Sequence, residues 1–403
     1  MNIDGKKAFN LIIIFGLISL LGDVIYEGAR SIYGPYTKTL NVNIATVGVI
    51  IGVSEFLGYL IRLASGYFSD KAKAQWILTI VGYGMLISIP LLSLVGTWQI
   101  ATIFIIFERI GKAVRSPAKD TILSQVTKKV GTGFGFALHE LLDQIGAMIG
   151  PLIFTAVLFI SNNKAAKISD YQRAFSILWI PFIILMILLF YTYSKIPNPE
   201  LIVSEKSNSN KIILSKKFWL YSAFTFFTSI GFLGFVFISY SLKERNIMND
   251  SYIPLMYTLA MGVDGVFALI IGKFYDKFKY KEKNELAGIK TIILIPIITI
   301  FIPLLAFSSI KLLIILSIIL WGIVMGTHET IMKSAIADLT YFKKRGLGYG
   351  IFNMIYGVAI LIGSIIFGFL YTNSTIILFC FVLITQLVAI LIYTKLKKDL
   401  YTD

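Results

Sequence analysis

Charge is scarce in this chain. Only 15% of its 403 residues are Asp, Glu, Lys or Arg, well below the share found in soluble globular domains. Hydrophobic residues make up 57%, and mean hydropathy is +0.80. Those values exclude a soluble enzyme and point to an integral membrane protein. Cysteine is nearly absent: the single Cys380 rules out an internal disulfide, and its apolar neighbours give it a packing role. No Gly-rich nucleotide signature, no Ser or Cys nucleophile beside an arranged base and no polar region large enough for a soluble domain is present. A membrane enzyme is therefore disfavoured, ATP drive within this chain is excluded and no cofactor is expected.

What the chain does have is a succession of apolar runs, each near the roughly 20 residues that a helix needs to span hydrocarbon. They fall at about 8–33, 44–68, 76–95, 99–124, 134–160, 173–194, 217–242, 252–271, 289–309, 312–338, 347–371 and 375–394, which predicts an all-α polytopic protein with twelve spans. The first run is long, lacks a small-residue cleavage site and continues into charged helix, unlike a secretory signal. Net charge is +15, but its placement argues against nucleic acid. Lys71, Lys73, Lys128, Lys129, Lys216, Lys217, Lys343, Lys344 and Arg345 sit with the termini and the even-numbered loops. That bias predicts cytoplasmic termini and a multi-pass protein of the cell membrane.

A polar stretch at 195–217, KIPNPELIVSEKSNSNKIILSKK, separates residues 1–194 from 218–403, six spans from six. GYFSDK (Gly66 to Lys71) follows the second span and GKFYDK (Gly272 to Lys277) the eighth. KKVGTGFG (Lys128 to Gly135) follows the fourth and KKRGLGYG (Lys343 to Gly350) the tenth. A six-helix unit repeated in parallel is the expected origin. The repeated G-x-F-x-D-K resembles the signature loop of the major facilitator superfamily, although KAKAQ follows Asp70 where the fuller motif has Gly and further basic residues. GAMIGP in span 5 (Gly146, Gly150, Pro151) resembles the G-x-x-x-G-P element of that superfamily's proton-coupled antiporters, and Arg109 with Gly111 resembles its span 4 pattern. The resemblance implies two pseudo-symmetric six-helix bundles. It also implies a conformational latch at Gly66, Asp70, Lys71, Arg115, Gly272 and Asp276, and a gating element on span 5. For Gly146, Gly150 and Pro151 plain helix packing is an equal reading.

Charges inside the spans are concentrated. Span 1 carries Asp23, Glu27 and Arg30 on one side; span 2 has Glu55 and Arg62; span 4 has Glu108, Arg109, Lys112 and Arg115. Span 5 has His139, Glu140 and Asp143, span 8 Asp264, and span 10 His328, Glu329 and Lys333, while spans 3, 6, 9 and 12 have none away from their ends. An ion in hydrocarbon is costly, so these residues should face protein or a water-filled path. In the resembled fold spans 1, 4, 7 and 10 line the central cavity and 3, 6, 9 and 12 face lipid. Arg62, Lys112 and Arg115 read as structural ion-pair partners. Asp23, Glu27, Arg30, Glu108, Arg109, Glu140, Asp143, Asp264, His328 and Glu329 read as cavity or proton-coupling groups, with Arg109 the expected counterpart of Asp23 and Glu27. Span 7 aromatics Tyr221, Phe224, Phe227 and Phe232, with Tyr349, Asn353 and Tyr356 of span 11, are candidates for an apolar wall. His139 with Asp143 has one-turn spacing for a metal, but no metal site is assigned.

The function expected is secondary active transport by alternating access, as a monomer with a small-molecule substrate and a proton or other ion gradient for partners. Proton-coupled export of small amphipathic molecules leads. A small charged metabolite or divalent metal as solute, or a non-transporting sensor that kept the carrier fold, are the alternatives.

Overall fold

A computed structural model describes residues 5–72, 74–127, 131–161, 165–195, 214–284, 286–340 and 345–399. They form twelve helical stretches: α1 (Gly5–Thr39), α2 (Ile44–Ala72), α3 (Gln75–Leu94), α4 (Trp98–Thr127), α5 (Thr132–Ile160), α6 (Ile168–Lys195), α7 (Lys216–Glu244), α8 (Tyr252–Glu282), α9 (Ala287–Ala306), α10 (Lys311–Leu339), α11 (Arg345–Asn373) and α12 (Thr375–Asp399). Eleven are long and apolar enough to cross a membrane. The twelfth, α4, has 30 residues, about 45 Å of helix, but its apolar run is broken by Glu108, Arg109, Lys112, Arg115, Lys119 and Asp120. No strand occurs among the described residues. Most of the polar stretch at 195–217 lies outside them.

The chain divides into two compact units. The first comprises residues 1–42, 53–205 and 242–258, and the second 43–52, 206–241 and 259–403. Each uses the same pairings: α1 packs along α5 and α6 and α3 on α4, while α7 packs along α11 and α12 and α9 on α10. The duplication legible in the loops is thus a duplication of helix contacts. Rows of exposed apolar side chains lie on α3 (Ile77, Val81), α6 (Ile180, Ile183, Ile184, Ile187) and α12 (Ile376, Ile377, Ile384, Leu387, Leu391). These charge-free faces fit a lipid solvent.

Glycine sets how closely helices meet, at the span 4 and span 5 motifs rather than at G-x-F-x-D-K. A Cβ on Gly66 or Gly272 would find only ordinary contacts, 3.8 Å to Pro117 and 3.5 Å to Thr330. The close approaches are Gly150 on Gly28 in α1, where an added Cβ would fall 2.7 Å from the backbone nitrogen, and Gly82 on Gly111, where it would fall 2.6 Å from the carbonyl oxygen. The span 5 element packs closely on α1, with Gly146 on the Leu20 carbonyl as well. Gly150→Leu is expected to destabilise the fold by about 1–3 kcal/mol through overpacking, whereas Gly66→Ala leaves it unchanged; thermal unfolding in detergent separates the two.

Two G-x-F-x-D-K segments read as loops are helical: residues 66–71 complete α2 and 272–277 lie within α8, which runs on to Glu282. Lys and Asp at these positions are compatible with a helix end in the aqueous layer, so falling hydropathy marked the membrane edge rather than the helix end. Asp276 is exposed. The acid that ties α8 to α10 is Asp338, which accepts from Tyr275 Oη at 2.6 Å and Lys279 Nζ at 3.0 Å. The side chains of Asp70, Lys71 and Lys333, like residues 128–130 and 341–344, lie outside the described residues.

α7 is interrupted: residues 231–234 are non-helical between Lys216–Ile230 and Phe235–Glu244. In hydrocarbon the carbonyls so released need donors. Gln386 Nε2 of α12 donates to Thr228 O at 3.2 Å, and Trp321 Nε1 of α10 to Leu233 O at 2.9 Å.

Candidate functional site

Tyr26 of α1 organises the charges of the first unit. Its fully buried ring carries Lys112 Nζ at 3.6 Å and the Arg109 and Arg30 guanidinium carbons at 4.7 and 5.3 Å from the centroid. The electron-rich face of a phenol attracts cations when water is excluded. Arg109 also donates to the Tyr26 hydroxyl and pairs with Glu55 Oε1 at 2.6 Å. Glu55 is reached by Arg30 Nη2 at 3.4 Å as well. The counterpart of Arg109 is thus Glu55 of α2 rather than Asp23 and Glu27. Glu27 instead has Arg30 Nη1 at 3.6 Å, Lys112 Nζ at 3.9 Å and a hydrogen bond from Tyr257 Oη at 2.6 Å.

A second cluster lies further along the same face of α1, toward its N-terminus. Lys119 Nζ of α4 donates to Ser19 Oγ at 3.1 Å, lies 2.8 Å from His139 Nε2 and stands 4.0 Å from Asp143 Oδ2. His139 Nε2 is itself 3.6 Å from Asp143. Half-buried Asp23 sits in the field of Asp143, Glu27, Lys112 and Lys119. Ser19, Asp23, Glu27 and Arg30 recur every three or four residues, so the two clusters form one polar file along α1.

Lys112 and Lys119 are in the file rather than at its margin. The acids Asp23, Glu27, Glu55, Glu108 and Asp143 are faced by Arg30, Arg109, Lys112, Arg115 and Lys119, so acids do not outnumber bases here. Glu140, on the far side of α5, is exposed. His139 Nδ1 and Asp143 Oδ1 keep unmet hydrogen-bonding capacity, and so do Glu108 and Arg115. Glu108 is fully buried with neither carboxylate oxygen hydrogen-bonded, its nearest cation being Arg109 Nε at 3.9 Å. Buried Arg115 leaves Nη1 without an acceptor and lies 4.8 Å over the Tyr83 ring, a packing position on α3 rather than a contact with a described latch acid.

The second unit places the remaining candidates differently. Asp264 is buried where α10 packs on α8 at Gly326, and Glu329 is exposed. His328 is buried with neither ring nitrogen hydrogen-bonded, 5.7 Å from the Phe232 ring and 6.4 Å from that of Tyr356. Phe232 stacks on Trp321 at 5.7 Å, and Tyr221 on Phe352 at 5.5 Å. Among the described residues no group of three His, Cys, Asp or Glu side chains could hold a metal ion.

Sequence reasoning passed over Tyr26, Tyr257 and Lys119 as site residues. For the tyrosines no sequence signal exists, since aromatics are ordinary in an apolar span. Lys119 was legible as the i+7 successor of Lys112, on the same face of α4.

The sequence pattern of the Major Facilitator Superfamily matches residues 12–284 and 255–400. The chain belongs to that superfamily. It is 35% identical over 398 residues to an uncharacterised protein of Mycobacterium tuberculosis, covering 97% of this chain and 94% of the relative. An MFS-type transporter of Methanocaldococcus jannaschii is 26% identical over 383 residues, covering 93% and 91%. The fold is that of a nucleoside transporter, NupG (TM-score 0.73, 14% identity, 97% of this chain and 100% of that one), and of a POT family transporter in complex with a thioalcohol-conjugated peptide (0.73, 14%, 96% of each). A bacterial homologue of the human lysosomal transporter Spinster has a TM-score of 0.68 at 13% identity, covering 96% and 95%. This is a multi-pass membrane protein of the transporter superfamily, with a fold built from membrane-spanning helices.

Proposed function

We propose that this superfamily member is a secondary carrier that couples protons to the export of a small amphipathic organic solute. The observation that carries the coupling is the polar file on α1, α4 and α5, where half-buried Asp23 has no hydrogen bond or ion pair among the described residues. A carboxylate so placed, with cations in its field but none bonded to it, is a group that can exchange a proton without dismantling the helix contacts. The aromatic side chains around Phe232, Trp321 and Tyr356 supply apolar surface in the second unit, which suits a solute with an apolar body and one charged end. The resemblance of Gly146, Gly150 and Pro151 to the antiporter element supports export. Rocking of two repeats in a monomer is the mode that the repeat structure favours.

Proteoliposomes loaded with a pH-sensitive dye and challenged with ethidium and tetraphenylphosphonium test the reading. Solute movement accompanied by counter-movement of protons is expected. Solute flux indifferent to an imposed pH gradient overturns the coupling. A second reading, a small anionic metabolite as solute, is favoured by Lys112, whose side chain is 37% exposed within the cluster. It predicts that small carboxylates rather than lipophilic cations move protons.

A further inference from the structure

Residues 242–258, which include the loop from α7 to α8 and the first turns of α8, belong to the first unit although the helices that carry them continue in the second. Three contacts fasten this segment. At the surface Glu244 pairs with Lys38 Nζ at 2.7 Å. Beneath it Asp250, 3% exposed, pairs with Lys243 and accepts from the Ala166 backbone N–H at 2.7 Å and Tyr171 Oη at 3.3 Å. Lys243 Nζ returns a bond to Ala166 O at 3.1 Å. Deepest, Tyr257 donates to Glu27 in the polar file.

We propose that residues 242–258 form a strap, latched by Asp250, whose Tyr257 reads the charge on Glu27, so that neutralising Glu27 and releasing the strap are one linked event. The physical basis is the difference between two hydrogen bonds. A phenol bonded to a carboxylate is charge-assisted, and one bonded to a neutral carboxyl is about half as strong. Losing the charge on Glu27 therefore weakens the innermost fastening, leaving Asp250 and Glu244 to hold most of the strap. Glu27 is faced by Asp23 and Arg30 of its own helix, Tyr33 one turn further, Glu55 of α2, Lys112 of α4 and Tyr257 of α8. Of these Tyr257 alone lies on the strap. Asp250 makes the strap shut by default, because the Asp250–Lys243 pair, both members of which lie on the strap, gives up its bonds to Ala166 and Tyr171 only at a cost.

The inference rests on the reading of the polar file as the coupling route, but its test needs no solute, so a failed flux assay and a failed strap assay are separate outcomes. In a Cys380→Ser background, Ser251→Cys places a thiol on the strap at a position now 6% exposed. Its labelling by a membrane-impermeant maleimide is measured in proteoliposomes. Tyr257→Phe, which removes the bond, is expected to speed labelling about tenfold, and Glu27→Gln, which mimics the neutral acid and keeps a weaker bond, about threefold. The double variant should add nothing to Tyr257→Phe, since both act on the same bond. Asp250→Asn should raise labelling independently in protein whose thermal midpoint stays near wild type, whereas a mere brace would lower the midpoint without exposing the thiol of folded protein. If a variant fails to fold, Lys38→Cys with Glu244→Cys replaces the reporter: cross-linking by a short bifunctional maleimide should fall when Glu27→Gln is added. Labelling at the wild-type rate in folded Glu27→Gln and Tyr257→Phe, or unchanged cross-linking with Glu27→Gln, overturns the proposal.

Discussion

Arg109→Ala is expected to abolish transport and to destabilise the first unit by roughly 3–5 kcal/mol, the cost of leaving a buried ion without its partner. Arg109 is 7% exposed, is the nearer of the two cations on Glu55, at 2.6 Å against 3.4 Å for Arg30, and donates to the Tyr26 hydroxyl as well. Its guanidinium also lies over the Tyr26 ring that carries Lys112, so alanine removes one of the contacts that hold this ring in place. Arg109→Lys retains the charge but not the planar fork, which can meet a carboxylate and a phenol at once; it should keep most of the stability and lose most of the transport. Thermal unfolding in detergent reads the first quantity and initial uptake rates the second. The double variant Arg109→Leu with Glu55→Leu, which removes both charges together, should be more stable than Arg109→Ala alone. Equal stability of Arg109→Ala and wild type would show that water reaches Glu55 and that the pair is not a structural necessity.

Asp23→Asn and Glu27→Gln are expected to lower proton-linked flux by roughly two orders of magnitude, the usual loss when a proton-exchanging group is removed, while solute affinity changes by less than about tenfold, since neither substitution alters side-chain volume. The two should differ in their structural cost. Asp23 is half-buried without a bonded cation and its replacement by asparagine leaves nothing stranded, so stability should be unchanged. Glu27 is bonded to Tyr257 and faced by Arg30 and Lys112, so Glu27→Gln leaves two cations short of an acid and should lower the thermal midpoint. Equilibrium binding and pH-gradient-driven flux on the same purified proteins separate the effects. Intact coupling in both variants would remove α1 from the proton path.

The membrane character, the twelve spans and the duplication were legible in the sequence because each rests on local chemistry. An apolar run of sufficient length has few alternatives to a membrane helix, and a repeated G-x-F-x-D-K preserves its register whatever the helices around it do. That Asp23, Glu27 and Arg30 share a face of α1 followed from helical spacing alone, and so did their exclusion from lipid. What spacing could not supply was the identity of the partners. Arg109 was matched to the acids of α1 on sign and depth, yet it pairs with Glu55, because the Gly82 to Gly111 contact of α3 with α4 and the packing of Gly150 on Gly28 set how the helices are rotated. Those rotations arise from backbones touching where side chains are missing, a property of helix pairs rather than of either strand of sequence. The same holds for Lys119 of α4 with His139 and Asp143 of α5, which two helices bring together, and for Tyr257, 230 residues from the Glu27 that it serves. A carboxylate in a membrane span must face protein or water rather than lipid, which the sequence alone requires; what it meets there was decided by the tertiary packing, since only the assembled helices determine what lies within hydrogen-bond reach.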